Sequence, residues 1–188
     1  MLALTLLAAL AAAPAQPSYA PKDRPYDVGH YKIEFTLGED GAFTNKVSIT
    51  LKARRALTEV EFDAEKLNVT EALLGEAKAQ FFVKGNTLTV KPPRALAAGK
   101  DETIVVTVSG KATVEQSGFF VTHNPDDPDG PPYYFTHFET EGARRFYPCN
   151  DQPFDKATSE VFAVVPAEYQ VLSNGKLEKD EAFSQGGV

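Results

Sequence analysis

The strongest constraint on this chain is a two-residue rhythm near its start. Tyr31, Ile33, Phe35 and Leu37 alternate with His30, Lys32, Glu34 and Thr36. Val47, Ile49, Leu51 and Ala53 then alternate with Lys46, Ser48, Thr50 and Lys52. Neighbouring side chains on a strand point to opposite faces, so each run offers one apolar and one polar face. Gly38-Glu39-Asp40-Gly41 lies between the runs with turn chemistry. The pattern predicts a β-hairpin whose apolar face must be covered by further strands.

The rest of the sequence offers such strands. Residues 59–62 and 67–73 read as short strands separated by a polar link. Residues 81–83 and 88–90 form a second hairpin around Lys84-Gly85-Asn86-Thr87, and Pro92-Pro93 stops it. Residues 103–108 are β-branched and run into Gly110. Residues 159–165 alternate, and 169–172 make a last strand before the turn Ser173-Asn174-Gly175. No window carries a helical repeat beyond two turns. Residues 71–79 allow at most a short helix, which Gly75 interrupts. Evenly spaced strands and turns predict an all-β fold, a sandwich of antiparallel sheets, with neither an internal repeat nor a linker.

Charge and cysteine content narrow the function. The net charge is -7, and lysines and arginines are scattered, which excludes nucleic acid and an anionic membrane surface as expected partners. The single cysteine, Cys149, excludes an internal disulfide and any multi-cysteine zinc site. Residues 2–13 are apolar except for Thr5, too short for the ~20 residues of a membrane-spanning helix. Pro14 and Pro17 end the run, and Ser18-Tyr19-Ala20 suits signal peptidase, although no Lys or Arg precedes it. Residues 1–20 are therefore expected to be an export signal, or else an unstructured leader. The β domain then occupies 21–188, in a protein exported to the periplasm or the outside, with the cytoplasm as the alternative.

Residues 124–132, Asn-Pro-Asp-Asp-Pro-Asp-Gly-Pro-Pro, carry three carboxylates and four prolines. They predict a solvated loop, because their spacing does not match an EF-hand and the prolines restrict wrapping around an ion. The three histidines, His30, His123 and His137, form no His-Glu-x-x-His pair. The sequence also lacks Gly-x-Ser-x-Gly and any phosphate-cradling glycine loop. The residues therefore predict no complete catalytic or metal site.

One stretch, 133–153, combines features that ordinary strands rarely share: clustered aromatics, carboxylates, adjacent arginines and the lone cysteine. Thr136-His137-Phe138-Glu139, Gly142-Ala143-Arg144-Arg145-Phe146-Tyr147-Pro148-Cys149, Asp151-Gln152-Pro153 and Lys156-Ala157 resemble the aminopeptidase N family of zinc metallopeptidases, the gluzincin aminopeptidases. Val165-Pro166 and Val171-Leu172-Ser173-Asn174-Gly175 match a later family segment, and residues 27–36 resemble the family's opening strand. The resemblance covers about residues 25–178.

The resemblance implies the saddle-like, mostly antiparallel β domain that precedes the family's catalytic domain. It implies a peptide substrate with a free N-terminus and one zinc ion bound by the catalytic domain. That domain's zinc and exopeptidase motifs are absent from residues 1–188. No catalytic or metal residue is therefore expected in this chain. The chain is expected to be inactive alone and to belong to a longer, cleaved or split enzyme, and the catalytic domain is its expected partner. In the family, the carboxylate at the position of Glu139 binds the substrate's α-amino group, which a cationic terminus favours through charge-assisted hydrogen bonds. His137 stands where the family has Gln, a position that helps line the pocket for the first substrate side chain, so first-residue preference is in question. Phe138 is expected to point into the core, Arg144 and Arg145 to tie loop carbonyls or Asp151, and Cys149 to be a small buried hydrophobe. Two other classes stand beside this one: the same fold as a non-catalytic interaction module, and a free secreted β-sandwich.

Overall fold

The computed structural model describes residues 22–181. The expected export segment lies outside them. The chain forms β1 (Tyr26–Leu37), β2 (Ala42–Ala53), β3 (Val60–Asp63), β4 (Asn68–Leu74), β5 (Ala77–Lys78), β6 (Gln80–Lys84), β7 (Thr87–Lys91), β8 (Asp101–Lys111), β9 (Gly118–Thr122), β10 (Tyr133–His137) and β11 (Thr158–Val164). Two single-turn 3-10 helices, Glu39–Gly41 and Ala143–Arg145, complete the described elements. The architecture is all-β.

The strands make three sheets. Six run in the order β11-β1-β2-β8-β4-β5, three in the order β3-β7-β6, and two as the hairpin β9-β10. The alternating apolar positions of β1 and β2 are buried as the rhythm requires, from Tyr31 to Leu37 and from Phe43 to Ala53. Val47, Ile49, Ile104 and Val106 from the large sheet join Val60, Phe62, Leu88 and Val90 from the three-stranded sheet in one continuous core. All eight are essentially fully buried, each side chain worth about 1.5–3 kcal/mol of transfer free energy.

Four features depart from the sequence reading. β1 extends back to Tyr26, because a bulge between Val28 and His30 resets the rhythm. The strand read over 67–73 forms as β4, with a bulge between Val69 and Glu71, but the short helix allowed over 71–79 does not: Ala77–Lys78 pair back onto β4 as β5. β11 pairs with β1 in parallel, His30 opposite Thr158, so one edge of the large sheet is not antiparallel. Alternation reports faces and not direction, which leaves strand polarity open. Finally, 169–172 forms no strand; Tyr169 instead packs its ring against Tyr134 at 5.8 Å.

A second, aromatic core seats the β9-β10 hairpin. Phe35, Phe43, Phe119 and Phe146 are buried together, with ring centroids 5.3–6.4 Å apart in the contacting pairs. Tilted and edge-on rings at such separations are the favoured aromatic geometry. Tyr134 stacks on Phe119, and Phe138 stacks on Phe146. Gly110 allows the packing: a Cβ there would lie 2.5 Å from the Phe43 ring.

Candidate functional site

The hairpin β9-β10 presents two unlike faces. Cross-strand partners share a face, so Phe120 opposite Phe135 and Gly118 opposite His137 belong to one side. Phe119 and Tyr134 belong to the other, which is the side packed into the aromatic core. The outward face therefore carries Tyr133, Phe135 and His137 in succession along β10. Phe135 stacks on Phe120 at 5.6 Å, and Tyr133 and Phe135 remain half exposed.

Glu139 lies two residues beyond the end of β10. Its side chain is 81% exposed, and its Oε2 lies 3.8 Å from His137 Nε2. No lysine or arginine among the described residues approaches within 4.0 Å of it. His137 is fixed from behind, where its Nδ1 lies 3.0 Å from the Gln116 carbonyl oxygen. Phe138, between the two, turns inward onto both cores, as expected.

The turn after Glu139 is held by close backbone approach. Gly142 donates its N–H to the Phe138 carbonyl at 2.9 Å. A Cβ on Gly142 would sit 2.5 Å from the His137 carbonyl oxygen and 2.9 Å from Phe138 Cα. Gly118, at φ +79, faces the same loop, and a Cβ there would lie 2.6 Å from Arg145 Cβ. A side chain at either position would push the carboxylate-bearing turn away from its strand.

The arginines act as ties, Arg144 to Asp151 as expected and Arg145 to two glutamates instead. Arg144 is buried; its Nε donates to Asp151 Oδ2 at 2.9 Å, and its Nη2 pairs with Glu141 at 3.2 Å. Arg145 bridges Glu65 at 2.9 Å and Glu115 at 3.3 Å. Cys149 is buried, and burial first, then the Asp151 and Asp63 carboxylates, push its thiol well above the ordinary range. It is a packing residue rather than a nucleophile.

Sequence reasoning missed the hub of this arrangement. Asp63, read there as part of a polar link, is fully buried at the end of β3. It exchanges backbone hydrogen bonds with Cys149, at 2.7 and 3.0 Å. Its carboxylate accepts from Arg24, Lys22 and the Asp151 N–H. Burial acts to raise its pKa, but the hydrogen bonds from Arg24 and Lys22 outweigh it and hold the group at about 2. Asp63 and Arg24 thus bind residues 149–151 to the domain core. A lone Asp after a short strand carries no sequence signal of such a role.

The other candidates do not converge on Glu139. The acidic loop at 124–132 is mostly exposed, and its backbone turns are tied by its own bonds. His30 lies on β1 beside Thr158 and Glu160 of β11, at the edge of the large sheet. Among the described residues, no three His, Cys, Asp or Glu side chains converge to hold a metal ion. These residues do not fit a zinc site. A surface depression of about 300 Å3 is lined by Arg24, Arg55, Leu57 and Glu59, and by neither His137 nor Glu139.

Residues 27–188 match the model of the peptidase M1 N-terminal domain. The chain belongs to the M1 peptidase family. It is 24% identical over 175 residues to leucine aminopeptidase 2 of Vanderwaltozyma polyspora, covering 85% of this chain and 26% of that relative. It is 28% identical over 173 residues to the human thyrotropin-releasing hormone-degrading ectoenzyme, covering 85% of this chain and 16% of the relative. In structure it is similar to a mutant M1 zinc metallopeptidase from Deinococcus radiodurans bound to a Tyr-Ser-Ala substrate. That TM-score is 0.68 at 25% identity, over 87% of this chain and 38% of the other. This M1 chain thus spans about a quarter of the length of the first of these relatives. The all-β fold and the resemblance over 136–157 agree with M1 membership.

Proposed function

We propose that this chain is the substrate-anchoring domain of a zinc metalloaminopeptidase, and that Glu139 binds the free α-amino group of a peptide. The observation that carries this is the presentation of Glu139. It is a solvent-facing carboxylate with no lysine or arginine among the described residues against it, two residues past a strand anchored by a buried aromatic core. An ammonium supplies the counter-charge that no lysine or arginine provides. At ~4 Å and an effective dielectric near 20 the pair gains roughly 4 kcal/mol before desolvation. Fixing the amine also fixes which peptide bond faces the reactive centre.

In this reading His137 lines the pocket for the first side chain beside Glu139. Tyr133 and Phe135, half exposed on the same face, meet the remainder of the protein. Zinc is held by residues outside the described part, and the chain alone turns over no peptide. The apolar segment 2–13 directs export, a reading supported by the human relative's designation as an ectoenzyme. No helix among the described residues is long and apolar enough to cross a membrane.

The test is Glu139→Gln in the full-length protein, assayed on peptides with free N-termini. Loss of the anchor lowers kcat/KM on the order of a hundredfold, the scale of removing one partner of a desolvated charge pair. Unchanged kcat/KM contradicts the assignment.

A further inference from the structure

His137 is held in one orientation by an acceptor. A carbonyl oxygen has no proton to give, so the 3.0 Å contact between His137 Nδ1 and the Gln116 oxygen requires the proton on Nδ1. In the neutral imidazole the other nitrogen, Nε2, then carries a bare lone pair. That lone pair lies 3.8 Å from a Glu139 carboxylate oxygen. Two acceptors face each other across this gap with no proton between them.

The other charges near this pair are already matched. Glu115, next to Gln116, pairs with Lys66 at 3.2 Å and Arg145 at 3.3 Å. Glu141 pairs with Arg144, which also binds Asp151. Glu139 is the carboxylate left to face the imidazole. We infer that His137 Nε2 and Glu139 form a two-acceptor cradle for an ammonium group, which binds only while the imidazole is neutral; this rests on the reading of Glu139 as the amine anchor.

The geometry suits such a donor. A nitrogen about 2.8 Å from each acceptor sees them at roughly 85°, near enough to the tetrahedral spread of N–H bonds for each acceptor to take its own proton. Protonation of the imidazole reverses the arrangement. Nε2 then becomes a donor and a cation, pairs with Glu139 itself, and repels the incoming amine. Acid therefore closes the site by an internal ion pair, and the site discriminates ammonium-bearing ligands in neutral and mildly basic solution. A Gln at position 137 offers an acceptor oxygen without this switch.

The experiment uses the full-length protein and L-tryptophan as probe, because its amine and carboxylate keep their charges between about pH 5 and pH 8, the range in which imidazoles titrate. The Kd is measured by calorimetry across that range for the native protein, His137→Gln and Glu139→Gln. The native Kd is expected to rise toward tenfold per pH unit on the acid side. His137→Gln, which keeps an acceptor oxygen at this position but cannot be protonated there, is expected to lose that rise. His137 is half exposed, so the Gln variant folds. A native Kd independent of pH, or the same acid-side rise in His137→Gln, overturns the cradle. Glu139→Gln separates the two ideas: a Kd unchanged at pH 8 removes the anchor itself, whereas a tenfold weaker Kd beside an unaltered His137→Gln profile removes only the imidazole's part.

Discussion

Arg24 and Asp63 form a bidentate ion pair out of contact with solvent: Nη1 donates to Oδ2 at 2.7 Å and Nη2 to Oδ1 at 2.9 Å. Arg24 Nη1 also reaches Asn150, and Asp63 takes the Asp151 N–H. The pair therefore joins the segment leading into β1, the three-stranded sheet and the loop that follows Glu139. Its titration is a stability switch. Asp63 sits at about 2 in the folded protein, below the ~3.9 of an unfolded aspartate. A depressed carboxylate contributes stability above its unfolded pKa and loses it as pH falls through the folded value. Unfolding free energy should fall by roughly 2 kcal/mol between about pH 4 and pH 2. Denaturant titrations across that window check it. Asp63→Asn should cost about 3–5 kcal/mol at neutral pH, because Arg24 is left buried and unpaired, and should flatten the acid-side slope.

Gly142→Ala should displace the turn that carries Glu139. The new methyl would meet the His137 carbonyl at 2.5 Å, and backbone cannot move aside as a flexible side chain can. The expected loss is about 1–3 kcal/mol of stability. In full-length protein the expected result is a fall in kcat/KM larger than that of Gly85→Ala, a glycine with open space around it. Equal effects would contradict a local role.

Phe119→Ala removes a ring that touches Phe35, Phe43, Phe146 and Tyr134. Large-to-small changes of buried rings cost about 3–5 kcal/mol. Thermal unfolding checks this. Hydrogen exchange should show the β9-β10 hairpin losing protection before β1 and β2, which share the larger core.

Cys149 should resist alkylation in the native protein, because its thiol is buried and its thiolate disfavoured. Mass spectrometry after iodoacetamide treatment should show modification only under denaturing conditions. Rapid native labelling would contradict the packing around Asp63 and Cys149.

Much of this architecture was readable from residue order. Strict alternation placed β1 and β2, because a half-buried strand must separate apolar from polar side chains, and the turn Lys84-Gly85-Asn86-Thr87 placed the β6-β7 hairpin. β9 was not readable in that way. Phe119 and Phe120 are adjacent and both apolar, one entering the aromatic core and one stacking on Phe135, so no alternation shows. The stretch 136–157 was legible by resemblance, down to the Arg144–Asp151 tie. The Gln116 carbonyl behind His137 was not legible, since a backbone acceptor leaves no mark on residue identity. Asp63 escaped for a related reason: its partners Arg24, Cys149 and Asp151 lie up to 88 residues away along the chain.

The most direct test of the amine anchor compares two inhibitors of the full-length protein that differ only in an α-amino group. Native protein should bind the amine-bearing compound far more tightly, and Glu139→Ala should shrink the ratio of the two Ki values at least tenfold, with little change for the compound lacking the amine. A ratio that survives the substitution intact would show that Glu139 does not read the substrate's N-terminus.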